Sequence, residues 1–541
     1  MLELFPKSST ASPMQTVRVL LGRFLFVSML LSSPTLISPG ELQAQSRVFT
    51  QREQIRSEYA ELHRAFSQQL HMLADQCDAQ GLTDEGRHIR RLAIPFAEQT
   101  LDVDNLPEQQ LAPLAPTLPA AELAWRSKLR KTQVDYANSL FLLSRRALQS
   151  ELITETYQYL REAAFQDPNH EQARKSLGYV LHEGRWVSPY ALLKLRQGEQ
   201  WHEKYGWINQ RDLARFDRGE RPYRTGWVSA EKEAALRTNF DNAWVIQSEH
   251  FSLKTNTSRE RGVQLVTDLE DFHRFFMREF PLLFNTRQQA QSLFSNSTNV
   301  RPKSRPHQVY YYRQKGEYVK ALARKQSGVE QSNGIYMPDD RIAYFFENPD
   351  DPEISRETMF HEVTHQLLSE SSLQTFPIAD ERDFWIVEGF ACYMESFSRH
   401  EGRLTVGSPH HMRVYSAKHR IVGENWLIPF DKLMSYGRRE FQLGAEDFTT
   451  LQKMYSQSTG MAHFFMHYDD GLYRDSLLLY LGQLYSPDKR IRNAPQTLSE
   501  ITGVSSEKLQ EQYVSYMKAL DSQPILNDPT PTLRIAPAET P

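Results

Sequence analysis

The chain has 541 residues, 24% of them charged, and a formal net charge of −4. That balance excludes the basic footprint of a nucleic-acid binder, and the length gives room for roughly three to four domains with cores of their own. Two cysteines, Cys77 and Cys392, exclude a disulfide framework; a single bridge stays arithmetically open, between segments that read as different domains.

At the N-terminus, Lys7, Arg18 and Arg23 precede the apolar run Phe24 to Leu31, followed by Pro34, Pro39 and a small-residue exit around Ala44. A basic start, a short apolar run and small residues are the pattern of a secretory signal peptide, and the run is too short to span a bilayer. Residues 1–44 are therefore expected to be a signal peptide, with Met1 and Met14 both open as the start. The mature chain is expected to be exported, periplasmic or extracellular, from near Gln45. No later segment is apolar enough to be transmembrane.

Residues 46–183 read as a helical domain. Amphipathic patterns over Gln51–Gln76 and Glu122–Ala164 are separated by the proline-rich 111–119. Segment 163–179 is similar to the inter-helix joint of a tetratricopeptide repeat, in a single copy where solenoids need several. A short internal repeat follows: Gly184 with Trp186 and Ser188, Gly206 with Trp207 and Asn209, and Gly226 with Trp227 and Ser229. Glycine permits a turn, tryptophan anchors on a core and Ser or Asn caps the next helix. Residues 184–240 thus read as three turn–helix units, in which the tryptophans are structural anchors or, alternatively, a platform for glycan or peptide.

From Ala243 the pattern turns to strand, then a helix over 261–280, a strand over 307–313, a helix over 316–324 and two strands over 334–346. The polar 285–299 reads as a loop. This α+β lobe, 243–350, leads into the stretch that carries chemistry. His361, Glu362 and His365 spell H-E-x-x-H, and on a helix positions i and i+4 share a face, so both imidazoles can address one ion while Glu362 holds a water. Met359, Phe360, Val363, Leu367 and Leu368 supply the apolar helical pattern, and Ser355 with Thr358 offers N-terminal capping. A second helix, expected from Phe384 to Phe397, carries Glu388. Residues 355–520 read as the zinc-site helices and a helical lobe, and 521–541 as a disordered tail. The fold class expected is multidomain α+β, with a mostly helical N-terminal region.

H-E-V-T-H followed by W-I-V-E-G-F-A-x-Y, behind a strand–helix lobe, resembles the gluzincin metallopeptidases, the thermolysin and aminopeptidase superfamily. Within it the chain is most similar to a bacterial group of exported, peptidase-MA-like proteins of unassigned function, over roughly 243 to 520. The resemblance implies a gluzincin-like lobe, one Zn2+ ion held by His361, His365 and Glu388, and Glu362 as general base. It implies a peptide or protein substrate, for which cell-wall peptide is open, and no nucleic acid. The implied mechanism is amide hydrolysis by a metal-activated water whose proton Glu362 passes to the leaving nitrogen. Tyr455 is the preferred oxyanion donor, with His463 and His467 as rivals that read as ordinary core or surface histidines. Glu370, Asp380 and Glu381 are rival third ligands, nearer the motif but less well directed. Two departures stand out. Glu388 follows His365 by 23 positions, longer than is usual for the family, and Cys392 occupies the place of an acid that often orients a ligand histidine. Glu395 is open as its replacement, while Cys392 reads as a small buried filler. The other class of function is a binding or scaffolding protein whose metalloprotease-like lobe is structural or weakly active.

Overall fold

The computed structural model describes residues 39–98, 103–284, 287–292, 294, 305–371, 378–400, 403–444, 448–486 and 488–523. Residues 1–38 of the expected signal peptide, part of the expected 285–299 loop and the tail beyond 523 lie outside the described residues; within that expected loop Arg287–Ser292 is helical, a correction to the expectation, since six polar and small residues show no apolar periodicity. The chain divides after Glu53: the residues before it include the start of the helix Pro39–Ala79, and those from Gln54 onward make one compact unit of mixed α and β structure.

Helices Pro39–Ala79, Thr83–Leu92, Ala120–Gln149 and Ile153–Gln166 form the helical region. Their core includes Phe66, Leu70, Tyr136, Leu140, Tyr159 and Leu160. The expected run Glu122–Ala164 is two helices, because Glu151 takes a left-handed φ of 62° that no right-handed helix continues. The helix after Asp167 covers only Glu171–Ser176, too short for the second helix of a tetratricopeptide unit. Gly178, at φ 89°, turns the chain out of it and into strand.

The three glycine–tryptophan segments are β-hairpins followed by short helices. Strands β1 (Val180–His182) and β2 (Arg185–Val187), β3 (Glu199–His202) and β4 (Gly206–Asn209), and β5 (Glu220–Tyr223) and β6 (Gly226–Ser229) pair antiparallel. Each tryptophan lies on the second strand, opposite Leu181, Trp201 or Pro222. Ser188, Asn209 and Ser229 accept from backbone N–H groups of the helical turns that follow. The expected turn–helix unit thus lacked its first strand, since three or four residues are too few to show a period of two. The Trp186 indole N–H donates to Pro168 O at 2.7 Å and ties the first hairpin to the helical region.

Strand structure after Ala243 is also a hairpin rather than one strand: β7 (Trp244–Gln247) and β8 (Phe251–Thr255). With β9 (His307–Tyr312), β10 (Gly334–Met337) and β11 (Ile342–Phe346) they form a five-stranded sheet in the order β10-β11-β9-β8-β7. The inner strands β8, β9 and β11 are parallel, and the edges β7 and β10 are antiparallel. Parallel strands need both faces covered, and the side chains divide accordingly. Val309, Tyr311, Tyr336, Ala343 and Phe345 join the main core with helix Arg259–Glu279. Tyr312, Ile335, Tyr344 and Phe346 join a second core under helix Lys315–Leu322. The period of two along each strand makes this partition.

Edge strand β10 and β11 lead into the motif helix, Pro352–Ser371. It begins a turn earlier than Ser355 and Thr358 suggested: Asp351 Oδ1 accepts from Ile354 N–H at 3.1 Å, and Pro352 opens the helix where no N–H is needed. The glutamate helix, Phe384–Met394, ends three residues before Phe397. Its first N–H groups are met by neighbouring chain, Asp383 N–H donating to Met434 O and Phe384 N–H to Tyr436 O. Against it packs helix Phe448–His467. Gly389 makes that approach: a Cβ there would stand 2.5 Å from Ser458 O. Gly389→Ala is expected to destabilise the protein by about 1–3 kcal/mol, the usual cost of overpacking. Gly316→Ala, where a Cβ meets nothing within 4 Å, is the control expected to be neutral or slightly stabilising. Denaturant melts of the two variants check this, and equal midpoints would refute the close-approach argument.

Candidate metal centre

The motif helix carries Glu357, His361 and His365 at successive i, i+4 positions, one stripe on one face. The glutamate helix carries Glu388 and Cys392 in the same spacing, with Glu395 just past its last residue. These stripes face each other. His361 Nε2 stands 3.2 Å from His365 Nε2 and 3.4 Å from Glu388 Oε2, and His365 Nε2 stands 3.8 Å from Glu388 Oε2. His361, Glu362 and Glu388 are 6%, 4% and 7% exposed, so these polar groups sit inside an otherwise apolar core.

The triangle fits an ion. Tetrahedral coordination with bonds of about 2.1 Å sets ligand atoms about 3.4 Å apart, which is the size of this triangle. Proton placement points the same way. His361 Nδ1 lies 2.9 Å from Glu395 Oε1, and a neutral imidazole that donates there turns an unprotonated Nε2 toward Glu388 and His365. In that form two lone pairs and a carboxylate converge away from water, a donor set that a cation satisfies; in the metal-free chain a proton on His361 Nε2 meets Glu388 instead. His361, His365 and Glu388 form one of the His/Cys/Asp/Glu groupings among the described residues that could hold a metal ion.

The electrostatics follow from burial and neighbours. Burial opposes charge on His361, yet Cys392, Glu388 and Glu395 around it hold its pKa well above the usual range. At His365 burial prevails, and its pKa falls to about 4 despite Glu388. Burial would raise the Glu388 carboxyl, but His361, His365 and Arg438 outweigh it and hold it below the ordinary value. Glu395 is also held low against its burial, chiefly by Arg413.

Each expected residue has a definite place. Glu362 turns back toward the sheet, where its Oε2 accepts from the Tyr336 N–H of β10 at 2.8 Å. That donor on the sheet edge is therefore committed to Glu362. Tyr455 is 3% exposed, with its ring edge-on to Phe441; burial, then Glu388 and Cys392, keep its hydroxyl protonated far above the usual range. Cys392 lies behind His361, with Sγ 3.8 Å from Nδ1 and away from the Nε2 triangle. The rival acids point elsewhere. Glu370 binds His307, Gln366 and Arg341, while Asp380 and Glu381 are exposed. His463 is a core residue and His467 a surface one: His463 Nε2–H donates to Gly407 O, Tyr516 hydroxyl meets its Nδ1 at 2.8 Å, and Tyr393 hydroxyl meets the exposed His467 at Nε2, 2.9 Å away.

A second histidine–glutamate grouping, His250, Glu270 and His273, is built differently. The two rings stack with centroids 3.8 Å apart and planes 20° from parallel. Metal bonds lie in the ring plane, and nearly parallel planes do not meet at one nearby ion. Three contributors at the first centre were not legible in sequence: the Tyr336 N–H, and the side chains of Arg413 and Arg438, which no motif position marks. The i−4 spacing of Glu357 to His361 was the one available signal for its side of the cluster. No family model, no curated protein and no solved structure matches the chain.

The buried His463 of helix Phe448–His467 gives a pH test of the core. Burial drives its pKa down to about 3, against about 6.5 in an unfolded chain. Between those limits the unfolded state binds a proton that the folded state refuses. The stability it contributes is complete above pH 6.5 and is lost as pH falls. The variant His463→Gln should show a shallower loss of stability between pH 6 and 5, by about 1 kcal/mol per pH unit. Denaturant titrations at a series of pH values check this, and parallel slopes would overturn the assignment.

Proposed function

We propose that this chain is a zinc-dependent metallopeptidase of the gluzincin type, hydrolysing peptide or amide bonds with Glu362 as general base. The observation that carries the reading is the convergence of His361 Nε2, His365 Nε2 and Glu388 Oε2 within 3.2–3.8 Å of one another on two facing helices. Two imidazoles and one carboxylate, with a position left open, make the donor set of a catalytic rather than a structural zinc site. Bound there, zinc would supply Lewis-acid polarisation of a carbonyl and acidification of a water.

The chain's own residues supply the rest of the chemistry. Glu362, adjacent to His361, is held through one carboxylate oxygen by the Tyr336 N–H, which fixes the direction from which it accepts a proton and returns it to the leaving nitrogen. Tyr455, kept protonated beside Glu388, is a neutral hydroxyl donor for a developing oxyanion. Edge strand β10 has its Tyr336 N–H engaged. The carbonyl of the same residue points to the same outer edge, so an extended peptide is met by an acceptor there rather than by a full ladder. The substrate class is peptide or protein, with cell-wall peptide included because the bond broken is the same. Action outside the cytoplasm rests on the sequence of residues 1–44.

Metal analysis of the purified protein is expected to find zinc near one equivalent, reduced at least tenfold in affinity in Glu388→Ala. Glu362→Gln is expected to keep the metal and lose cleavage of a peptide library by 100-fold or more, and chelator should abolish wild-type cleavage. A wild type without metal refutes the metal reading. Equal cleavage by wild type and Glu362→Gln refutes the base. Bound metal with no amide cleavage by either turns the assignment to a binding protein with a metalloprotease-like lobe.

A further inference from the structure

Glu395 lies past the last residue of the glutamate helix, at its C-cap, where the backbone no longer fixes a side chain's direction. It is nevertheless held firmly. Arg413 Nε donates to Glu395 Oε2 at 2.7 Å and Arg413 Nη2 to Oε1 at 2.9 Å, the two-pronged geometry that only arginine can make with a carboxylate. Oε1 is the same oxygen that stands 2.9 Å from His361 Nδ1. The Arg413 and Glu395 side chains are 12% and 5% exposed, so little water competes for either.

Arg413 comes from the first turn of helix Met412–Val422, and the residue before that helix reaches the other partner. His411 caps the helix through Nδ1, accepting from Arg413 N–H, and its Nε2 stands 3.0 Å from Glu357 Oε1. Glu357 is one helical turn before His361. The start of this third helix is therefore clipped to both ligand-bearing helices, through Glu357 on one and Glu395 on the other. We infer that Arg413 is a positioning residue of the metal centre: by fixing the Glu395 carboxylate it orients the His361 ring toward the ion and sets the centre's affinity for metal. The inference rests on the metal reading proposed above and adds to it a residue that touches no ligand atom of the triangle.

The alternative is a merely structural ion pair, and a double-mutant cycle on metal affinity separates the two. The proteins are wild type, Arg413→Met, Glu395→Gln and the double variant, with zinc affinity read against a competing chelator and the visible spectrum of the cobalt(II) form recorded for each. Each single variant is expected to lose 10- to 100-fold in affinity, the usual range for partners of ligand histidines. The double variant is expected to lose no more than the weaker-binding single one, because Arg413 acts only through Glu395. Cobalt absorption should keep its four-coordinate intensity in Arg413→Met, which retains all three ligands, while Glu388→Ala alters it. Should Arg413→Met fail to fold around an unpaired buried carboxylate, Arg413→Lys keeps a charge beside Glu395 without the two-pronged grip and is compared with wild type directly. A tenfold or greater loss of zinc affinity in Arg413→Lys supports the inference, and wild-type affinity overturns it. Wild-type affinity in Arg413→Met, or losses that multiply, also overturn it while leaving the metal reading standing. A wild type that takes up neither zinc nor cobalt overturns both.

Discussion

Two helices bring two imidazoles and a carboxylate together in the middle of an apolar core, and the rest of the fold makes that costly arrangement possible. The glutamate helix is buried along its whole length, from Phe384 to Met394. Only Glu388 interrupts its apolar and aromatic surface with a charge. Such a carboxylate needs a positive partner, which a protonated His361 supplies in the metal-free chain and a metal ion would supply in the same place, so the geometry of the triangle is a statement about charge as well as shape. Gly389, next to Glu388, allows helix Phe448–His467 to approach and fixes the rotation of the glutamate helix. Phe360, Val363 and Leu367 seat the motif helix in the same core.

The sheet's part is to aim Glu362. An edge strand has one row of backbone groups without a strand partner, and in β10 that row faces the motif helix. One of its donors is spent on the glutamate of H-E-x-x-H, so a residue that the helix alone would leave free to rotate is tied to the sheet. The parallel inner strands, buried on both faces, seat that edge between two packed cores. Sheet, motif helix and glutamate helix thus share one continuous core, and the centre lies where the three meet.

What could be read from the sequence follows from the range of the signal. The i, i+4 spacing of His361 and His365 is local, and a helix imposes its geometry directly. Glu388 could be chosen over Glu370 because helix direction is also local: Glu370, five positions past His365, points to His307 and Arg341 instead. The hairpins β1 to β6 were only half legible, since their tryptophans and caps are marked but their strands are three or four residues long. The split at Glu151 was hidden because the residue shows no helix-breaking chemistry, and tertiary packing sets its φ. Arg413 was invisible for a different reason. Nothing in its neighbourhood of sequence refers to Glu395, and the pairing exists only because two helices end and begin beside each other.

The centre has a direction. Behind His361 the space is filled by the buried Cys392 and Glu395 and the mostly buried Arg413. On the opposite side, His365 is the most exposed member of the triangle, its side chain 17% open against 7% for His361 and 9% for Glu388. A charged group at the back shares the low-dielectric interior with the ligands and acts strongly on them, whereas one at the front is screened by water. Arg413 stands at the back, already neutralised by Glu395, so its charge does not repel an ion and its two-pronged grip is what remains. Arg438 differs. It lies over the ring of Phe384, one helical turn before Glu388, with its guanidinium carbon 5.0 Å from the ring centroid, and its charge lowers both Glu388 and His365. The two arginines therefore divide the work by position, one holding the frame of the centre and the other setting the field at the end where Glu388 enters it.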